Sequence, residues 1–164
     1  MDEDISFNVC DLYARYGDRL KLEQWDHAKL DRRIWVAEAE RPGLSLTGYI
    51  KNRSVGRILI FGRAEIDYLL GLEKDVQEKR LAQVILEDVP AVIVSRGLEP
   101  LEAIRARCLN LRIPLFCSPS STMRLFSKLT VILSDEFSPG CVGLIAILPL
   151  SVSNLGAPFS CSQE

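Results

Sequence analysis

Histidine is nearly absent from this sequence: His27 stands alone among 164 residues. A Ser-His-Asp triad would have to use it, yet it lies in the charged stretch Asp26-His27-Ala28-Lys29, away from any strand end. Geometry and not mere presence makes a triad, so His27 reads as a solvated loop residue. Phosphate-holding glycine patterns are missing too. Ten glycines occur, but none forms a G-x-x-x-x-G-K-[ST] loop or a G-x-G-x-x-G. The G-x-S-x-G elbow is also absent. The five cysteines (Cys10, Cys108, Cys117, Cys141, Cys161) are odd in number, and no two stand at C-x-x-C spacing. Zinc needs clustered thiolate or imidazole ligands. No metal is expected, and the thiols read as reduced and mostly buried.

Charge of one sign is lacking as well. Twenty Lys and Arg against 22 Asp and Glu leave a formal charge of −2. No global field draws in nucleic acid or anionic lipid. Arg105, Arg107, Arg112, Arg124 and Lys128 make the later part mildly basic, but no aromatics are interleaved among them. They read as solvated helix faces and not as a nucleic-acid surface. No apolar run reaches the roughly 18 residues of a transmembrane helix. The start, Met1-Asp2-Glu3-Asp4, lacks the basic and apolar regions of a secretory signal. A cytoplasmic chain with neither membrane nor nucleic-acid partner is the expectation.

Hydrophobic residues make up 48% and charged residues 26%, enough apolar surface for a real core. Ile5, Val9, Leu12 and Tyr16 recur at helical spacing, with Ser6 to cap and Gly17 to stop. Lys21–Trp25 and Ile34–Ala37 read as short strands, with Trp25 and Trp35 as core or half-core aromatics. Arg41-Pro42-Gly43 is a turn, and Leu44 and Leu46 after it fit strand and helix equally. Arg57–Gly62 is a buried strand and a breaker. Helices are expected over Ala64–Leu72, with Ile66, Leu69 and Leu70 inward, and over Glu73–Glu87. Ala91–Ser95 is the next strand. A helix over Glu99–Arg112 has Pro100 in its first turn. Ile113–Cys117 is a strand, and a longer helix runs from Ser121 to Phe137. This strand–helix alternation predicts an α/β fold: a small, mostly parallel sheet of three or four strands with flanking helices. Residues 1–139 form the expected domain. Residues 140–164, rich in glycine, proline and serine, break all periodicity and are expected to be an irregular tail, with Leu144–Leu148 as a strand candidate.

Ligands in open α/β sheets gather where strands end. Arg96, Gly97 and Glu99 follow the strand Ala91–Ser95. One reading is an anion held by backbone N–H groups and Arg96. The other is a turn made by Gly97, an acidic Glu99 set against the helix dipole, and Arg96 paired with an acidic neighbour. Ser118, Ser120, Ser121 and Thr122 stand at a second strand-to-helix junction, suited to phosphate binding or simply to capping.

Several blocks together resemble the amino-terminal domain of bacterial HPr kinase/phosphorylase. They are Arg41-Pro42-Gly43-Leu44-Ser45-Leu46-Thr47-Gly48-Tyr49, Arg57-Ile58-Leu59-Ile60-Phe61-Gly62, Glu65 with Tyr68-Leu69, Pro90 through Pro100 with its Arg96-Gly97-Leu98-Glu99, Ile113-Pro114-Leu115, and Ser121-Thr122 running to Asp135-Glu136-Phe137-Ser138-Pro139. The match covers roughly residues 5–139. The resemblance implies a first domain similar in fold to the nucleotide-sugar-binding first domain of Mur ligases. It implies membership of a cytoplasmic, usually hexameric regulator, so a homo-oligomer is expected. Such a regulator phosphorylates a serine of HPr, the phosphotransferase-system carrier, and removes that phosphate by phosphorolysis. ATP and Mg belong to the family's second, catalytic domain. That domain carries a His-Gly pair and a phosphate loop ending Gly-Lys-Ser, and neither occurs here. No catalytic residue and no cofactor are therefore assigned to this chain. Pro139 is followed by Gly140-Cys141-Val142-Gly143-Leu144, and the switch suggests a truncated or frame-shifted remnant after residue 139. The expected role is a regulatory or assembly domain, with an HPr-like carrier or a catalytic-domain chain as partner. The alternative is a stand-alone binding module for a phosphorylated metabolite or nucleotide. Arg41, Arg96, Gly97, Glu99, Ser121 and Thr122 are the candidate ligand-binding or interface residues.

Overall fold

The computed structural model describes residues 7–50 and 55–138. The expectations for Ile5, Ser6 and 140–164 lie outside these described residues. Three apolar runs form the middle of the sheet: β3 (Ile58–Phe61), β4 (Val92–Val94) and β5 (Leu115–Cys117). They pair in parallel, and Phe61, Val94 and Cys117 align at their carboxyl ends. β2 (Ala39–Glu40) adds a parallel edge beside β3. β1 (Glu23–Gln24) closes the other edge, antiparallel to β5. The sheet thus has five strands in the order β1-β5-β4-β3-β2, one or two more than the sequence suggests.

Helices cover both faces, which explains why the central strands are continuous apolar runs and not alternating ones. α1 (Val9–Leu20) and α6 (Thr122–Glu136) pack on one face, over Ile58, Ile60, Ala91, Ile93 and Phe116. The opposite face presents Leu59, Phe61, Val92, Val94 and Leu115. It is covered by α2 (Gly43–Leu46), α3 (Arg63–Leu70), α4 (Lys74–Val84) and α5 (Glu102–Leu111). Successive residues of each strand point to opposite layers, the two-residue period of a strand.

Several local expectations are corrected. α1 is capped by Asn8, whose side chain accepts from the Asp11 N–H at 2.8 Å while the Asp11 carboxylate takes the Asn8 N–H. This reciprocal pair satisfies two helix-end donors. Gly17 does not stop the helix; it is buried inside it, and the left-handed Lys21 (φ 52) ends it. Ile34–Ala37 is not a strand. Asn8 and Arg33 make an isolated bridge instead, and pairing resumes only at β2. Pro100 falls outside α5, which starts after its N-cap Leu101. Leu70 points outward, 60% exposed, while Ile66 and Leu69 are buried. Trp25 and Trp35 are exposed and not core. Guanidinium groups cover them, Arg105 over Trp25 and Arg33 over Trp35 at 3.9 Å, so cation–π contact replaces burial. At the far end, the α1–α6 seam is tied by Arg15 and Tyr16 to Glu136 and by an edge-to-face contact of Phe7 with Phe137.

Candidate functional site

The chain leaves every parallel strand at the same edge of the sheet. Arg41 follows β2, Gly62 and Arg63 follow β3, Ser95 and Arg96 follow β4, and Ser118 follows β5. After β3 and β4 the connection turns to one face, and after β5 it turns to the other, into α6. Such a reversal opens a crevice outside the carboxyl ends. An open cleft of about 430 Å³ lies there, lined by Arg41, Arg63, Ala64, Asp67, Arg96, Thr122 and Met123.

Its floor is buried and hydrogen-bonded. Thr122 is buried, and its hydroxyl lies 2.7 Å from the buried Ser95 hydroxyl, which donates to the Phe61 carbonyl. The Ser118 hydroxyl donates to the Leu20 carbonyl at 2.8 Å. Gly62 is there because nothing larger fits: a Cβ would sit 2.6 Å from Thr122 Oγ1. Glu65, 4% exposed, accepts the Gly62 N–H at 2.9 Å with one oxygen and Arg41 at 3.0 Å with the other. Arg41 is thus half claimed before any ligand arrives.

Arg96 holds a left-handed backbone (φ 64) beside Gly97 (φ 64). Non-glycine residues rarely stay there without support. Support comes from the next loop: the Arg96 N–H donates to the Ser120 carbonyl and the Gly97 N–H to the Ser118 carbonyl, both at 2.9 Å. The β4–α5 loop is thereby fastened to the β5–α6 loop, and the Arg96 side chain lines the cleft.

The structure therefore brings together Arg41, Arg96 and Thr122 in one cleft. Gly97 shapes the loop beside it. Glu99 is elsewhere: it precedes α5 by three residues, is largely exposed, and pairs with Arg105 at 3.9 Å, a surface ion pair that contributes little. Ser121 is the N-cap of α6 but makes no side-chain capping bond, so the capping expectation fails. Arg63, Asp67 and Glu65 are the cleft residues that sequence reading passed over. One signal marked Arg63. It follows a buried strand and its breaker glycine, as Arg96 follows Ser95.

Among the described residues no group of three or more His, Cys, Asp or Glu is placed to hold a metal ion. Cys108 and Cys117 are not poised nucleophiles. Burial pushes the Cys108 thiol up to about 12 and the Cys117 thiol to about 11. The folded state therefore binds these protons more tightly than the unfolded chain does. Their contribution to stability is full below the ordinary value of 9.0 and is lost as pH rises toward the folded values. A urea midpoint falling between about pH 9 and 11 is expected, with a shallower fall in Cys108→Ala. An unchanged slope in that variant refutes the assignment.

The described residues form a two-faced α/β layer whose strand-end cleft is lined by three arginines. The chain belongs to the family described as the HPr serine kinase N terminus, whose model matches residues 7–133. It is 36% identical over 124 residues to an HPr kinase/phosphorylase of Pediococcus pentosaceus, covering 75% of this chain and 37% of that protein. An HPr kinase/phosphorylase of Clostridium botulinum (strain Alaska E43 / Type E3) is 34% identical over 109 residues, covering 66% and 36%. HPr kinase/phosphorylase 1 of Oceanobacillus iheyensis is 29% identical over 110 residues, covering 67% and 36%. The chain thus spans little more than a third of the length of these relatives. No helix among the described residues is long and apolar enough to cross a membrane.

Proposed function

We propose that this chain is the regulatory and assembly module of a cytoplasmic HPr kinase/phosphorylase-type system and does not transfer phosphoryl groups by itself. The observation that carries this reading is the extent of the match: residues 7–133 correspond to the amino-terminal part of proteins nearly three times as long as the matched segment. Phosphoryl transfer requires a cradle for the nucleotide phosphates and bound Mg²⁺. The 164 residues contain no phosphate-loop motif to provide it. An HPr-like carrier is the substrate of the whole system, and a catalytic-domain chain is the expected direct partner. Residues 1–139 are the module, and residues 140–164 are assigned no part in it.

Incubation with ATP, Mg²⁺ and HPr tests the reading directly. No phosphoserine is expected on HPr with this chain alone, by mass spectrometry. Detectable turnover overturns the proposal. Light scattering of the chain alone, then mixed with a separately expressed catalytic half from a relative, tests assembly. A monomer that ignores the catalytic half removes the assembly role. One observation favours a second reading, a binding module for a phosphorylated metabolite or nucleotide: Arg41, Arg63 and Arg96 converge on the strand-end cleft.

A further inference from the structure

We propose that the strand-end cleft binds a small, hydroxylated phosphate monoester in its dianionic form. This rests on the binding-module reading and names the chemistry of the ligand. Arg63 and Arg96 reach the cleft from the ends of β3 and β4, and both are exposed. Neither has an ion pair or a side-chain hydrogen bond among the described residues, in contrast to Arg41 with Glu65. Three arginines against one aspartate leave the lining with a net charge of +2. Glu65 behind Arg41 lowers that to +1 for the wider site. A single dianion balances the +2 of the lining itself; a chain of phosphates exceeds it.

The backbone adds to the side chains. α3 and α6 both begin at the cleft, and neither N-cap residue supplies a side-chain cap, although Glu65 takes the Gly62 N–H itself. Gly62 has no side chain to offer, and Ser121 offers none. First-turn N–H groups of both helices remain for an anion to accept. The contact of Gly62 with Thr122 brings these two positive ends together. Arginine forks supply paired donors in the geometry of phosphate oxygens.

The rest of the lining selects the body of the ligand. Asp67 stands one helical turn from Arg63 on α3, and its carboxylate has no hydrogen-bond or ion-pair partner among the described residues. Its carboxylate accepts from hydroxyl groups and repels a second phosphate. None of the seven lining residues is aromatic, so a nucleobase finds no ring there to stack on. A cleft of about 430 Å³ suits a sugar-sized molecule. Free phosphorylated metabolite and phosphoseryl protein share the phosphate chemistry. The hydroxyl-accepting Asp67 favours the metabolite.

Calorimetry and amide-shift titration of the whole chain test this, with glucose 6-phosphate, glucose 6-sulfate, AMP and an unrelated phosphoseryl peptide as probes. Glucose 6-phosphate is expected to bind saturably and to shift the Ala64, Arg96 and Met123 amides. Glucose 6-sulfate, a monoanion with the same body, should bind about tenfold more weakly. Binding of the phosphate should weaken as pH falls through about 6, where the dianion takes up one proton to become a monoanion and the arginines do not titrate. Arg63→Ala and Arg96→Ala should each weaken binding about tenfold at unchanged melting temperature, because neither side chain supports the fold. AMP should bind no tighter than glucose 6-phosphate, and the peptide more weakly. Absence of saturable binding by all four probes overturns the binding-module reading and this inference together. Equal binding of the sulfate ester, or no loss in the two arginine variants, overturns this inference and leaves anion binding as such standing. Tighter binding of AMP or of the peptide overturns the choice of a hydroxylated metabolite.

Discussion

Replacing Glu65 by alanine is expected to lower the unfolding free energy by about 3 kcal/mol, the low end of the range for breaking a buried ion pair. Glu65 is 4% exposed; Oε2 accepts the Gly62 N–H at 2.9 Å, and Arg41 Nη2 donates to Oε1 at 3.0 Å and to Oε2 at 3.3 Å. Alanine leaves both donors without an acceptor at a buried helix start. The low end applies because the Arg41 side chain keeps 36% of its surface in solvent, and water screens part of the lost attraction. Glutamine is expected to rescue the site only in part. Its oxygen in the Oε2 position can take the Gly62 N–H and lies 3.3 Å from Arg41 Nη2, but the other oxygen becomes an NH₂ donor and the charge is lost. Urea denaturation of Glu65→Ala, Glu65→Gln and Arg41→Ala, with the double variant Glu65→Ala/Arg41→Ala, closes a cycle whose coupling should be about 1–2 kcal/mol. A cost below about 1 kcal/mol for Glu65→Ala would show that Arg41 and Gly62 find other partners. The pair also links stability to the cleft. Removing the carboxylate frees Arg41 to face a bound anion, so Glu65→Gln should bind glucose 6-phosphate more tightly while folding less stably.

Stability and legibility part company at this same site. β3, β4 and β5 were readable because strands buried on both faces are continuous apolar runs, and no helix of four residues competes with them. Ala39–Glu40 was not readable. Two residues, one of them charged, carry no period, and only their register on Ile58 and Leu59 makes them a strand. α2 failed for the same reason, being one turn long. The Pro100 misreading came from treating proline as a first-turn residue when the chain uses it just before the N-cap. Of the cleft, Arg41, Arg96 and Thr122 were legible from strand ends and family blocks together. Ser121 makes no capping bond and Glu99 lies outside the cleft lining, because generic helix-start preferences do not say which hydroxyl or carboxylate reaches a donor. Arg63 carries the local strand-end signal, but placing it in one cleft with Arg41 and Arg96 required knowing that β2, β3 and β4 lie side by side, which is a statement about the sheet and not about any one stretch.

The second large effect lies at the opposite edge of the sheet. Arg32→Ala should cost about 3 kcal/mol, although nothing around Arg32 in the sequence marks it. Its guanidinium donates to four backbone carbonyls: Arg112 through Nε at 3.1 Å, Leu111 through Nη2 at 2.5 Å, and Glu87 and Val89 through Nη1 at 2.6 and 3.2 Å. Leu111 and Arg112 end α5, where carbonyls have no helical partner and the dipole favours a cation. Glu87 and Val89 lie in the turn that enters β4. One side chain therefore joins the amino-terminal approaches of two neighbouring strands, while the Arg32 carbonyl accepts the Val9 N–H at the start of α1. The site is partly exposed, so water replaces some of the lost donors and the effect stays well below the sum of four charge-assisted bonds. Lysine cannot substitute. It has three donors on a single nitrogen and no planar fork, so it reaches the helix end or the turn but not both. Arg32→Lys should recover less than half of the loss in urea denaturation. Because these carbonyls sit at the amino ends of β4 and β5 and the cleft sits at the carboxyl ends, both variants should bind glucose 6-phosphate like the parent at temperatures where they remain folded. Full recovery by lysine would mean that charge at the helix end, and not the fork, holds the two approaches together.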